Sequence, residues 1–149
     1  MVQTFEESYT LDFNSVNIEN IRLLLHNRYP FIDLMPRNRF QLYSKFVDWV
    51  KTGRKTTTIR FKRNGIDYPL RRNMPLSATE TFKPAAKEWL VGSIVINQLT
   101  IKQFKHLDSD DARRDGFDSL LDLKAVLKEI YHDINEDDFV SIYTIVIGN

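Results

Sequence analysis

Residues 53–60 read Gly53-Arg54-Lys55-Thr56-Thr57-Thr58-Ile59-Arg60, and the rest of the chain is best understood outward from them. The glycine ends one segment, and three threonines followed by an isoleucine favour an extended strand. In an extended segment side chains alternate faces. Arg54, Thr56, Thr58 and Arg60 then share one face, and Lys55, Thr57 and Ile59 the other. A local twist at Gly53 would bring Lys55 round to the first face. Taken alone, these eight residues fit an edge strand with a solvated charged face as well as they fit a site.

The neighbouring segments give the strand its context. Upstream, Arg39 to Tyr43 reads as a short strand and Ser44 to Lys51 as a helix. Ser44 is its candidate cap, and Phe46, Val47 and Val50 face inward together. Thr52-Gly53 stops this helix, with Gly53 suited to the left-handed position. Downstream, Asn64-Gly65 is a hairpin signal joining Thr57–Arg63 to Ile66–Arg71, and Pro69 shortens the second strand or confines it to an edge. Residues 72–88 are turn-rich and read as a long loop with a short strand near Ser77–Phe82. Ile94–Ile101 is rich in branched residues and reads as a strand.

Asp108 or Ser109 caps a short helix through Arg114, and Gly116 ends it. Asp118 or Ser119 caps the next helix, Leu120 to Tyr131. Its Leu120, Leu123, Leu127, Ile130 and Tyr131 form a stripe at core spacing rather than a cofactor box. Phe139–Ile147 is the final strand. Near the N-terminus, Asn17 to His26 reads as a helix with Asn17 as cap, ended by Tyr29-Pro30. Residues 1–16 give no firm assignment, and residues 31–38 read as a connection. The order of elements predicts an α+β chain: a small mixed β-barrel with flanking helices. Residues 39–149 form the main domain, and 1–38 an N-terminal extension packed on it.

Composition narrows the function. Of 149 residues, 42% are hydrophobic and 28% charged, as in a globular domain. No apolar run approaches a membrane span, and MVQTFEESYTLDF does not read as a signal peptide, so a cytoplasmic protein is expected. Cysteine is absent, which excludes thiol chemistry. His26, His106 and His132 lack metal-ligand spacing, so no metal or other cofactor is expected. The net charge of +1 conceals an asymmetry. Residues 36–75 hold eleven Lys or Arg against Asp48 and Asp67, whereas 105–140 hold eleven acids against five bases. Interleaved with Phe40, Tyr43, Phe46, Trp49, Phe61 and Tyr68, the basic block suits a polyanion. The alternative is that the two halves neutralise each other in the fold.

The helix ending at Gly53, the Lys55-Thr56-Thr57-Thr58-Ile59-Arg60 strand and the later Asp115-Gly116-Phe117 leading into a Leu-rich helix occur in a characteristic order. In this the chain resembles the ASCH family, small barrels related to the PUA-type RNA-binding fold. Gly53, Lys55, Thr58 and Arg60 match one part of the family pattern, and Asp115, Gly116, Phe117 and Leu123 the other. The resemblance covers about residues 39–149 and implies a cleft suited to RNA or a nucleoside. It extends to one branch of the family, the small acetylcytidine amidohydrolases, whose motif is similar to residues 53–60. By that likeness Thr58 would be the nucleophile, Lys55 the base and Asp115 the acid. Ribonuclease action is the other activity it suggests.

The residue chemistry can be judged on its own. A threonine hydroxyl attacks only when a base takes its proton, and lysine serves as base only if burial or neighbouring cations lower its pKa. Arg54 and Arg60 are the cations expected to do this for Lys55. A carboxyl with a raised pKa then protonates a leaving amine. For binding, the expected set is Arg54, Lys55, Thr57, Arg60 and Tyr43. Arg54 suits phosphate, and Tyr43 or Trp49 suits stacking on a base, with core packing the preferred reading for Trp49. Arg60 is alternatively a structural arm reaching Asp115 or another acid. RNA or a modified nucleoside is therefore the expected partner.

Overall fold

The structure is a computed structural model and describes residues 8–80 and 87–148. Strand β1 (Ser8–Asp12) is followed by a 3-10 turn at Ile18–Asn20 and helix α1 (Ile21–Arg28). Asn17 caps this turn by accepting from the Glu19 amide. Strands β2 (Asp33–Arg37) and β3 (Phe40–Tyr43) then lead into helix α2 (Ser44–Lys51). Strands β4 (Thr57–Arg60), β5 (Gly65–Pro69), β6 (Asn73–Thr79) and β7 (Glu88–Gln103) follow. Helices α3 (Ser109–Arg114) and α4 (Leu120–Ile130) precede the last strand, β8 (Phe139–Gly148).

The main sheet runs β3-β6-β7-β8-β4 and curls into a half-barrel, as expected for a mixed α+β barrel with flanking helices. Its spine is the 16-residue β7. The first half of β7 pairs with β6 and its second half with β1, while β8 runs along the other edge. A bulge at Asn97 shifts the register between Ile96 and Gln98. One extra residue reverses the in–out alternation. That is why Ile94 and Ile96 on one side of the bulge, and Leu99 and Ile101 on the other, all enter the same core.

Two cores result. Inside the half-barrel Phe40, Leu76, Ile96, Leu99 and Tyr143 pack together, and Ile21 and Leu25 of α1 join them. On the outer face Ile59, Val140 and Ile142 are covered by Ala112, Leu123 and Leu127 of α3 and α4. β4 thus has Thr58 paired with Tyr143 of the inner core and Ile59 paired with Ile142 of the outer one.

Several sequence expectations need correction. Residues 31–38 are not merely a connection, because β2 pairs in parallel with β5. Its Pro36 is tolerated because this is a two-stranded sheet, where an edge needs no donor. The Asn64-Gly65 turn forms, with Asn64 at φ 59° and the Gly65 amide bonded to Lys62 O at 3.0 Å. It does not carry a hairpin ladder, however, since β4 pairs with β8 and β5 with β2. The long loop expected over 72–88 contains β6, whose Pro75 did not prevent pairing. Phe82, at the end of the expected short strand, lies outside the described residues. Ser44 is not a helix cap: its hydroxyl donates to Glu80 at 3.0 Å. Asp108 and Ser119 do cap α3 and α4. Among the described residues no helix is long and apolar enough to cross a membrane.

Candidate functional site

The turn that ends α3 is docked on the segment that enters β4. The Thr56 amide donates to Arg114 O at 2.7 Å, and Arg54 Nε to Gly116 O at 2.8 Å. Between them lies a buried ion pair. Lys55 Nζ is 2.7 Å from Asp115 Oδ1, and the two residues are only 3% and 4% exposed. Thr57 Oγ donates to the same carboxylate oxygen at 3.1 Å. Sixty residues of chain separate these partners, and the Gly116 turn aims the carboxylate inward.

Gly116 fits for two reasons. Its φ of +94° is one that side-chain-bearing residues rarely adopt, and an added Cβ would meet Trp49 Cε3 at 2.7 Å and Lys55 Cβ at 3.4 Å. Trp49 cannot yield easily, because it packs on Phe117 and Phe46 at 5.5 and 4.8 Å between ring centres. Gly116→Ala is therefore expected to cost about 2–4 kcal/mol, from backbone strain and overpacking together. Urea unfolding should show a lower midpoint at unchanged slope.

Burial pushes the Lys55 pKa down, opposed by the Asp115 charge and helped by Arg60. Burial likewise pushes the Asp115 carboxyl up, opposed by Lys55. Desolvation thus draws both groups toward their neutral forms while their mutual attraction holds them ionised. Moving one proton from Lys55 to Asp115 yields an amine and a carboxylic acid with no exchange with solvent.

Lys55, Thr58, Arg60 and Asp115 line one small cavity of about 30 Å³ whose walls include Leu42, Phe46, Phe117 and Leu127. It adjoins a wider hollow of about 340 Å³, bounded by Tyr43, Ser44, Lys45, Glu80, Glu129 and Ile130. Phe46, Val126 and Ile130 belong to both. The result is a cleft with a polar floor, apolar walls and a mouth of mixed charge. Apart from Tyr43, the mouth residues had no signal in the sequence, because α2, α4 and the end of β6 meet only in the fold.

The cleft opens where β3 and β4, the two ends of the main sheet order, approach without pairing. Arg60 spans that gap. Its NH2 donates to Gln41 O at 2.8 Å, and its NH1 to Ile59 O at 3.1 Å and Thr58 Oγ at 2.7 Å. Its plane also lies over Phe40, 5.3 Å from the ring centre. Arg60 is thus the structural arm, reaching carbonyls rather than an acid.

The sequence candidates therefore divide. Lys55, Thr58, Arg60 and Asp115 converge on the inner cavity, and Tyr43 stands at the mouth. Thr57 reaches Asp115 from the opposite face of β4. Arg54 lies outside the cavity lining, stacked on Trp49 with its Cζ 3.7 Å from the ring centre. Part of the basic block is paired within the chain, buried for Arg37 and at the surface for Arg39 and Arg63. Arg37 forms a bidentate pair with Asp67 at 2.8 Å, Arg39 pairs with Glu88, and Arg63 lies 3.5 Å from Asp133. Among the described residues, no group of three or more metal-ligating side chains comes together.

No protein-family model matches the chain, and no curated protein matches it. Solved structures do. One is an ASCH domain from Lactobacillus crispatus JV V101, with TM-score 0.54 and 16% identity over 73% of this chain and 79% of that one. Another is an Enterococcus faecalis V583 protein of the DUF984 family, with TM-score 0.52 and 15% identity over 88% of this chain and 92% of that one. At these identities the likeness is one of fold, and it agrees with the motif order in the sequence. The chain has the fold of an ASCH domain.

Proposed function

We propose that this domain binds a nucleoside, or one unpaired nucleotide of an RNA, with the base entering the cleft first. The observation that carries this reading is the cleft itself. Apolar walls suit the faces of a flat ring, and Lys55, Thr58 and Arg60 on the floor offer donors to its polar edge. Tyr43 at the mouth is placed to cover the ring or sugar. The mouth is lined by one cation, Lys45, and by Glu80 and Glu129, and part of the basic block is paired within the chain. Recognition then rests on the base more than on phosphates.

Equilibrium binding of nucleosides and short single-stranded RNAs across a salt series tests this. One or two phosphate contacts predict a shallow slope of log affinity on log salt, on the order of −1. Phe46→Ala, which removes a cleft wall, should abolish binding in a protein that still unfolds cooperatively. Binding only of RNA, with a steep salt slope and indifference to Phe46→Ala, would remove the base-first reading.

Thr58, Lys55 and Asp115 in one cavity also favour a second reading, hydrolysis of an acetylated cytidine amide. Thr58 Oγ attacks the acetyl carbonyl carbon and its proton passes to neutral Lys55. The C–N bond then breaks, with the amine taking the proton of the Asp115 carboxyl. Water frees acetate from the threonine ester. The neutral Lys55–Asp115 pair supplies base and acid at once, and Arg60 steadies the Thr58 oxygen by donating to it. Cytidine release from N4-acetylcytidine should fall at least about a hundredfold in Thr58→Val. Release that survives this change would end the mechanism.

A further inference from the structure

Beyond α3 no described residue covers the outer face of the main sheet, which forms a second, chemically different hollow. About 180 Å³ is enclosed by Ser8, Thr10, Thr57, Gln98, Thr100, Ile142 and Thr144 from four strands, with Lys102, Asp111 and Arg114 along one wall. Neighbouring positions on this face, Ile59, Val140 and Ile142, are packed beneath α3 and α4. A threonine-rich solvated sheet face is ordinary in itself. What sets this one apart is its concavity and the state of its charges.

Helix α3 carries two acid–arginine pairs at the same spacing, Asp110 with Arg113 and Asp111 with Arg114. The first closes, with Arg113 NH2 2.9 Å from Asp110 Oδ1. The second does not. Asp111 Oδ2 accepts from Lys102 Nζ at 2.7 Å and from the Asp108 amide at 3.0 Å, and so belongs to the ammonium and the helix cap. Arg114 consequently makes no ion pair among the described residues, although it lines the hollow. Its carbonyl is occupied by the Thr56 amide, so the backbone there does not present a bare acceptor. Among the lining residues Lys102 and Asp111 cancel, which leaves the charge of Arg114, while Asp108, 3.5 Å from Lys102, stands outside the lining. Several of the hydroxyls are also free to donate. Thr57 is engaged with Asp115, and Thr10 and Thr100 share one hydrogen bond of 2.9 Å, which leaves one proton of that pair for a ligand.

We propose that this hollow is an oxyanion site that takes a phosphate group, with the Arg114 guanidinium as its principal ligand and the threonine hydroxyls completing the shell. A planar guanidinium engages two phosphate oxygens together, and hydroxyl donors suit the remaining ones. The site lies across β4 from the cleft, and it does not depend on what the cleft binds.

Amide NMR of the whole chain tests the proposal, with titration by inorganic phosphate at constant ionic strength. Saturable shifts are expected at Gln98, Thr100 and Thr144, with Tyr43 and Thr58 of the cleft unmoved. Arg114→Gln should lower the affinity about tenfold, and its own spectrum should otherwise overlay the wild type. Absence of saturation overturns the proposal, as does a loss under about threefold in Arg114→Gln, or shifts spread over the basic block. Ribose 5-phosphate and a dinucleotide then separate the sources. Tighter Arg114-dependent binding of the monoester marks a small metabolite, and tighter binding of the dinucleotide marks a nucleic-acid backbone. Cleft binding lost with this site intact, or the reverse, shows which of the two readings has failed.

Discussion

Asp115→Ala is expected to destabilise the protein by about 3–5 kcal/mol, the cost of leaving one member of a buried ion pair without its partner. Lys55 is 3% exposed and has Asp115 as its carboxylate at 2.7 Å. Without that carboxylate the ammonium must either stay charged in an apolar cavity or give up its proton. Lys55→Met strands the carboxylate in the same way, with only Thr57 still donating to it. The combination Lys55→Met with Asp115→Leu is the informative one. It removes both charges at similar volume, so its stability should return to within about 1–2 kcal/mol of wild type, far above the sum of the singles. Urea denaturation of the four proteins gives the coupling energy directly. Additive losses would mean that the pair is not energetically joined.

The two single variants should also respond to pH in opposite directions. Burial already pushes Asp115 up and Lys55 down in the intact pair, and loss of the partner strengthens each shift. In Lys55→Met the native carboxyl holds its proton at a pH where the unfolded chain has released it. The native state then binds more protons, and stability falls as pH rises from the ordinary carboxylate range toward neutrality. In Asp115→Ala the unfolded lysine is the more protonated state, so stability rises with pH toward the ordinary lysine range. Each slope approaches about 1.4 kcal/mol per pH unit at most, one proton's worth. Parallel pH profiles for the two variants would show that neither buried charge is felt.

How far the sequence carried the fold can be judged from particular elements. α2, α3, α4 and β8 were legible because each has a local cause: an inward apolar stripe, a capping Asp108 or Ser119, and a branched run at Phe139–Ile147. β2 was not, because Asp33–Arg37 is short and contains a proline, and its strand state comes from a parallel partner thirty residues on. The Asn64-Gly65 turn was legible but its ladder was not, since pairing is decided by which sheets the flanking strands join. Lys55 and Asp115 could be nominated because they match the ASCH-like pattern in order along the chain, and the glycines near them, Gly53 and Gly116, do set sharp turns. Apart from Tyr43, the mouth of the cleft could not, because Glu80 and Glu129 are far apart in the chain and meet only in the fold. Nor could the pairing of part of the basic block, which depends on side chains meeting partners such as Asp67 and Glu88.

Arg60→Met should cost about 2–4 kcal/mol and loosen one place in the sheet. A barrel with a complete ladder has no free edges, whereas this half-barrel ends at β3 and β4. The guanidinium substitutes for the missing ladder by donating to Gln41 O on one edge and to Ile59 O on the other. Removing it leaves two carbonyls and the Thr58 hydroxyl short of a donor. A buried polar group left unsatisfied costs about 1–3 kcal/mol, and the adjoining cavity of about 30 Å³ has room for a water that recovers part of this. Arg60→Lys should rescue little, since an ammonium on a flexible stem does not reproduce the rigid fork that holds two edges together. Hydrogen exchange supplies the local readout. Amides of β3 and β4 should exchange faster in both variants, while those at the centre of β7 and β8, paired on both sides, keep their protection relative to global unfolding. Uniformly faster exchange would mean that Arg60 contributes only general packing over Phe40. Selective loosening would identify one side chain as both the closure of the barrel and the support of Thr58, so that the cleft exists where it does because the sheet is closed there by a guanidinium instead of a strand.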